Sequence, residues 1–152
     1  MLIRQRQHAQ ILGALSLLLL TACLPVSGPF NLYPINSTTL TQPIPCKLKL
    51  HFGWQTITIT ATLPTGGVYS GSFPTNATAP NRDLASYWDQ VFGSGYFNAK
   101  VLGSPKHVRA TLQNGQGDKL QLEMHSIPGD TKGGGMEGVA VDSNKDLYKA
   151  GY

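Results

Sequence analysis

Apolar and polar residues alternate along most of the chain that follows Pro45. The alternation is strictest in residues 56–63, where Ile57, Ile59 and Leu63 lie between polar or small residues. Successive side chains of a β-strand point to opposite faces, so a period of two predicts a strand with one buried face. Eight segments are predicted as strands on this pattern or a shorter form of it: residues 46–52, 56–63, 68–73, 96–102, 107–113, 119–125, 136–141 and 146–150.

Turn-forming residues fill most of the gaps between these segments. Residues 114–117 and 142–145 have the composition of tight hairpin turns, and residues 127–135 form a longer connection that ends in three glycines. Strands that follow one another through short turns predict an all-β fold, either a small antiparallel barrel or a sandwich of about eight strands. A barrel is the preferred interpretation because closure leaves no unpaired strand edge.

One segment, residues 81–92, has helical rather than strand spacing. Asn81 is suited to cap the first turn, Asp83 places a negative charge there, and Gly93 is a typical stop signal. Five residues form an apolar stripe along this helix: Leu84, Tyr87, Trp88, Val91 and Phe92. The stripe predicts an amphipathic helix that packs on the core and plugs or caps the sheet.

The N-terminal residues have the form of a targeting signal. Arg4 and Arg6 precede an apolar run at residues 11–20, which is too short to span a bilayer but has the length of a signal-peptide core. The run leads into Leu20-Thr21-Ala22-Cys23, which resembles the lipobox of bacterial lipoproteins. The resemblance implies cleavage before the cysteine and a diacylglycerol on the Cys23 thiol.

The same resemblance implies a location. Lipid on Cys23 would attach the mature chain to a membrane, and in a Gram-negative host the new amino terminus would gain a third acyl chain. In such hosts Leu24, which is not aspartate, directs a lipoprotein to the outer membrane. The expected location is therefore the cell envelope, with the chain facing the periplasm.

Residues 24–45 contain five prolines and no charged residue. A flexible segment of this length reaches on the order of 28 Å, and farther if proline stiffens it. The predicted organisation is therefore a signal peptide at residues 1–22, a lipidated cysteine with a Pro/Ser/Thr tether at residues 23–45, and a β domain at residues 46–152.

The charge balance gives little indication of an electrostatic partner. Arg4 and Arg6 belong to the signal peptide, so cleavage leaves ten basic residues against eight acidic ones. Nucleic-acid binding needs a clustered basic surface, and we do not expect it here.

Cys46 has no partner for a disulfide once Cys23 carries lipid. Its thiol alternates in phase with Leu48 and Leu50, whereas Lys47 and Lys49 fall on the opposite face of the strand. The pattern predicts a small buried side chain without reactivity, because a nucleophilic cysteine needs a nearby base and positive charge.

Sequence motifs of catalysis are missing: the chain contains no GxSxG elbow, no HExxH, no Walker loop and no GxGxxG after a strand. The glycines at residues 133–135 lead into a predicted strand and lack the helix N-terminus that a phosphate-binding loop uses, so they predict a flexible loop. His51, His107 and His125 each alternate onto the polar face of a predicted strand, where we expect them to be exposed and separate. If they converged with Glu123, they would form a three-ligand metal site or a hydrolytic site. We expect no catalytic residue, no metal site and no cofactor.

Aromatic residues cluster between positions 87 and 97. Tyr87, Trp88, Tyr96 and Phe97 are the predicted partner surface, because aromatic side chains bring a large contact area at little cost in conformational entropy. The alternative is that all of them fill the core.

Two classes of function remain open. The first is a non-catalytic, lipid-anchored binding or structural module whose partner is another envelope protein or the cell wall. Bacterial lysozyme-inhibitor lipoproteins are similar in size, anchoring and all-β character, although this chain lacks their paired cysteines. The second is an envelope hydrolase or metal-binding protein that uses His51, His107, His125 and Glu123.

Overall fold

The computed structural model describes residues 29–37, 40–51, 55–64, 67–74, 79–127 and 135–151. The signal peptide and Cys23 lie outside the described residues. The strands are β1 Pro29–Pro34, β2 Ile44–Leu50, β3 Thr56–Leu63, β4 Gly67–Pro74, β5 His107–Gln113, β6 Lys119–Ser126, β7 Met136–Asp142 and β8 Leu147–Gly151. Each strand runs antiparallel to the next, and β1 pairs with β8 to close a barrel. The predicted all-β fold is confirmed, as a barrel rather than a sandwich.

Apolar side chains fill the barrel interior. In β3, Ile59 and Ala61 are fully buried, while Thr58 and Thr60 alternate with them on the other face. The other large side chains of this core come from all parts of the wall: Phe30, Leu32, Ile44, Leu63, Tyr69, Phe73, Leu112, Leu120, Leu122, Met124 and Tyr148. Interiors of eight-stranded barrels are just wide enough for side chains to fill them, and this interior follows that rule.

The first strand lies inside the segment predicted to be a tether. Phe30 and Leu32 of β1 are both 1% exposed and belong to the interior core. The prediction that the β domain begins at residue 46 is therefore wrong, because closure of the barrel requires a strand between β2 and β8. Proline is tolerated where a strand begins or ends, and Pro29 and Pro34 are the first and last residues of β1.

The strand predicted at residues 96–102 is also wrong. Residues Phe97–Val101 form a single π-helical turn, in which the Leu102 N–H donates to the Phe97 carbonyl oxygen at 3.0 Å. Phe97 and Val101, four residues apart, are both buried in one apolar cluster. The number of strands matches the prediction only because β1 replaces this segment.

The helix begins and ends where the sequence predicts. Asn81 caps a 3₁₀ turn at Arg82–Leu84, with its Oδ1 accepting from the Asp83 N–H at 3.1 Å, and the turn continues into α1, Ala85–Phe92. Gly93 follows with a φ of 109°, and its N–H donates to the Asp89 carbonyl oxygen at 3.0 Å. Glycine adopts such a positive φ without strain.

Of the two predicted positions of the helix, plugging or capping the sheet, the structure excludes the plug, because α1 packs on the outer wall of the barrel and covers it. The residues of this second core are Leu84, Trp88, Phe97 and Val101, together with Val139, Val141 and Leu147 from the wall. Residues 138–142 of β7 are consequently buried on both faces, which explains why residues 139–141 are continuously apolar.

Candidate functional site

Glu123 is a buried carboxylate on the outer face of β6, beneath the helix. It has no exposed surface, yet both of its oxygens have a hydrogen-bond donor. Oε1 accepts from the Asn81 backbone N–H at 2.7 Å, and Oε2 accepts from Trp88 Nε1 at 3.0 Å. Burial of a carboxylate is costly unless such donors replace water. Glu123 therefore attaches the start of the helical segment to the barrel wall.

His107 and His125 lie next to Glu123 on neighbouring strands. They face each other directly in the register of β5 and β6, with ring centroids 6.2 Å apart. Both are buried, at 4% and 0% exposure, so the expectation that they are exposed is wrong. The alternation put them on the correct, outward face of their strands, but the helical segment covers that face.

Glu137 of β7 links His125 to the helical segment. His125 Nε2 lies 3.3 Å from Glu137 Oε1, at ion-pair distance but without hydrogen-bond geometry. The Tyr96 hydroxyl donates a hydrogen bond to the same carboxylate oxygen. Trp88 and Tyr96 present their rings edge-on to the imidazole, at centroid distances of 5.2 and 6.1 Å.

Burial controls the protonation of this cluster. It lowers the pKa of His125, and the Glu137 carboxylate opposes that shift only in part, while the nearby His107 adds to it. Burial also raises the pKa of Tyr96, and the hydrogen bond to Glu137 raises it further. At neutral pH, His125 is therefore neutral and Tyr96 keeps its proton. Glu137, with 19% of its side chain exposed, and the half-buried Tyr96 are the members of this cluster that reach solvent.

The alternative considered from the sequence, a site that joins all three histidines, does not form. His51 directly follows β2, and strands β3 and β4 lie between β2 and β5 in the barrel wall. Its exposed ring is at hydrogen-bond distance, 2.7 Å, from Thr58 Oγ1. Among the described residues, no group of three or more His, Cys, Asp or Glu side chains could hold a metal ion. The two oxygens of Glu123 already accept hydrogen bonds from the helical segment.

Cys46 lies in the barrel interior, as the alternation predicts. It is 3% exposed and is a free thiol, with Sγ 3.8 Å from the Ile44 carbonyl oxygen. Burial raises its pKa to about 12, so the thiolate is not populated at neutral pH.

The four residues of the predicted partner surface have separate locations. Trp88 and Phe97 are 0% and 3% exposed, and they pack in the second core, so in this structure they offer no contact area to a partner. Tyr87 and Tyr96 are half-buried. These aromatic residues are close together in the sequence because the helix and the π-helical turn both pack on the barrel wall.

Two grooves lie on either side of the helix start, and no sequence pattern predicts them. One has a volume of about 360 Å³ and is lined by Asn81, Asp83, Leu84, Arg109, Ala110, Thr111, Gln121 and Leu122. The other, of about 340 Å³, is lined by Asp83, Leu84, Tyr87, Lys119, Gln121, Val141, Asp142, Ser143 and Lys145. Both are largely polar, and both form only where the helical segment meets the wall.

Comparisons of the chain with protein-family models, with curated protein sequences and with solved structures find no match. Within the part of the chain that the structure describes, no helix has the length and apolar character needed to span a bilayer.

Proposed function

We propose that the chain is a lipid-anchored lipoprotein of the cell envelope, whose barrel serves as a non-catalytic binding or structural module. The observation that supports the proposal most directly is the lipobox-like Leu20-Thr21-Ala22-Cys23, followed six positions after Cys23 by the first strand of a closed barrel. A lipidated terminus next to a compact domain is the arrangement expected of a protein displayed on a membrane.

The buried ionisable groups favour a structural use over catalysis. Glu123 accepts two hydrogen bonds from the helical segment, and Glu137 accepts one from Tyr96. An acid or base catalyst works best with a pKa near the operating pH and with access to substrate. Burial moves the pKa values of His125 and Tyr96 away from neutrality and places His125 beneath aromatic rings.

The grooves beside the helix start are the surface that suits a partner best. Tyr87 lines one of them, and Arg109 lines the other, so the two grooves offer aromatic, cationic and hydrogen-bonding groups side by side. Tyrosine and arginine are the residue types most enriched at protein contacts. The proposed partner is another envelope protein or the cell wall, and the proposed location is the periplasmic side of the outer membrane of a Gram-negative host.

Metabolic labelling tests the anchor. The tagged chain is expressed in a Gram-negative host that is fed an alkyne-bearing fatty acid, with Cys23→Ser as the matched variant. We expect the label and outer-membrane fractionation for the parent chain, and loss of both for Cys23→Ser. Equal labelling of the two chains, or a mature terminus at another residue, would contradict the proposal.

Site-specific crosslinking tests the partner surface. A photo-crosslinking amino acid replaces Tyr87 in the anchored chain, and Thr62, an exposed residue of β3, serves as the control position. We expect a discrete crosslinked product from position 87 alone. The same products from both positions, or none from either, would count against a partner at the grooves.

A further inference from the structure

The two ends of the barrel differ in their charged residues. We name the end where β1 begins the entry end, and the opposite end, which carries the turns at residues 114–118 and 142–146, the hairpin end. Asp118, Asp142 and Asp146 all lie at the hairpin end, together with Lys119 and Lys145. Among the described strand-end residues of the entry end, the carboxylate is that of Glu137. It accepts a hydrogen bond from Tyr96 and lies at ion-pair distance from His125.

Exposed cationic groups lie at the entry end. Lys47 and Lys49 project from the last part of β2, and Lys106 immediately precedes β5, where its carbonyl oxygen accepts from the Ser126 N–H at 3.2 Å. None of these three lysines forms an ion pair with a carboxylate of the described residues. Ile127, which follows β6 at the same end, is 38% exposed. Among the described residues, the entry end therefore presents lysines without an ion-pair partner and, next to Lys106, an exposed apolar side chain.

The strand that follows Cys23 most closely in the sequence begins at this same end. Pro29, the first residue of β1, pairs with Lys47, two residues before Lys49 on β2. Only residues 24–28 separate Cys23 from β1. Six residue steps span at most about 20 Å when fully extended. A lipid on Cys23 therefore keeps the start of β1 within about 20 Å of the headgroups. The lysines attract the headgroups strongly only when docking brings them within the Debye length of about 8 Å.

From this juxtaposition we propose that the entry end of the barrel docks on anionic phospholipid headgroups of the membrane that holds Cys23. The inference rests on the proposed lipid anchor. Lys47, Lys49 and Lys106 supply the attraction, because each basic residue near an anionic membrane surface adds to binding. Docking would orient the molecule, with the hairpin end, which carries three aspartates, pointing away from the membrane and the two grooves on the side wall open to a partner.

Vesicle binding of the unlipidated mature chain tests the docking. The chain carries Cys23→Ser and is mixed at low ionic strength with phosphatidylcholine vesicles that either contain phosphatidylglycerol or lack it. We expect co-sedimentation with the anionic vesicles alone, and release as salt is raised. Lys49→Glu combined with Lys106→Glu should weaken binding by about tenfold or more.

Lys119→Glu combined with Lys145→Glu is the matched control, because it reverses the same number of charges at the hairpin end. We expect the control to change binding by less than about twofold, and thermal unfolding shows that each variant is folded. Equal losses in the two double variants, equal binding to both kinds of vesicle, or no binding would overturn the inference. Tighter binding to a soluble anionic wall polymer than to anionic vesicles would overturn it as well.

The vesicle assay and the labelling assay fail independently. Binding of the Cys23→Ser chain requires no lipidation, so its absence leaves the anchor intact if the parent chain takes up the fatty acid. Loss of the anchor, conversely, appears as missing label even where the barrel binds anionic vesicles.

Discussion

Trp88 donates a hydrogen bond from Nε1 to Glu123 Oε2 at 3.0 Å, and neither side chain has any surface exposed to solvent. The indole comes from α1 and the carboxylate from β6, so this one contact joins the helix to the outer wall of the barrel. The second oxygen of Glu123 accepts from Asn81, directly before the 3₁₀ turn. The start and the middle of the helical segment thus share a single buried anion.

Truncation of Glu123 is expected to be strongly destabilising. Glu123→Ala leaves the Asn81 N–H and the Trp88 indole N–H buried without their acceptor, and we expect a loss of about 3–5 kcal/mol in the free energy of unfolding. Urea denaturation measures it. Gln121→Ala, an exposed position on the same strand, is the matched control and should stay within about 0.5 kcal/mol of the parent. A loss for Glu123→Ala no larger than the control's would show that the carboxylate does not hold the helix.

Acidification is expected to destabilise the fold through His125. Because burial lowers the pKa of His125 in the folded state, the unfolded chain takes up a proton more readily. This contribution to stability is complete above the unfolded pKa of about 6.5 and declines as the pH falls below it. The groups that face the ring are His107 and Glu137, with Tyr96 and Trp88 above it.

The free energy of unfolding, measured in urea between neutral and mildly acidic pH, tests this dependence. We expect His125→Gln to flatten the decline below about pH 6.5, whereas His51→Gln, an exposed histidine, leaves it unchanged. An undiminished decline in the His125 variant would assign the pH dependence to another group.

Two hairpin turns at the same end of the barrel have the same construction. Asn114 Oδ1 accepts from the N–H groups of Gln116 and Asp118 at 3.0 and 2.9 Å. Asp142 Oδ1 accepts from the equivalent N–H groups of Asn144 and Asp146 at 2.8 and 2.9 Å. In each turn the fourth residue has a positive φ: it is Gly117 at 91° in the first and Lys145 at 70° in the second.

Lys145→Gly is therefore expected to stabilise the protein. Glycine removes the backbone strain of a non-glycine residue at positive φ, but it also raises the entropy of the unfolded chain. We expect the first effect to exceed the second, so that the free energy of unfolding rises by about 0.5 kcal/mol or more. Thermal unfolding measures the gain. The reciprocal variant, Gly117→Lys, should be less stable than the parent. If Lys145→Gly also lowered the stability, the two turns would not be equivalent.

Gly138 is expected to tolerate no side chain. A Cβ at this position of β7 would lie 2.3 Å from the Glu123 carbonyl oxygen and 2.6 Å from Met124 Cγ. Gly138→Ala must displace the backbone of β6, and we expect a loss of about 2 kcal/mol or more. Gly103→Ala is the control, because no atom lies within 4 Å of its added methyl group. Thermal denaturation of the two variants compares them, and equal melting temperatures would contradict the close approach of β6 and β7.

The sequence alone predicts the parts of this protein that local pattern controls. The strict alternation of residues 56–63 predicts β3, the Asn81 and Gly93 signals bound the helical segment, and Cys46 is buried because it lies in phase with apolar neighbours. The proposed lipobox before Leu24 likewise rests on local sequence alone.

The tertiary structure alone decides which surfaces are covered. Pro29–Pro34 becomes a strand because the barrel needs an eighth member between β2 and β8, which no local propensity records. His107, His125 and Glu123 lie on a polar strand face by sequence, yet they are buried because a helix fifteen or more residues away along the chain packs on that face. Burial, charge compensation and pKa values depend on contacts distant in sequence. The hydrogen bonds from the helical segment to Glu123, the two grooves and the charged entry end therefore arise only when the barrel closes.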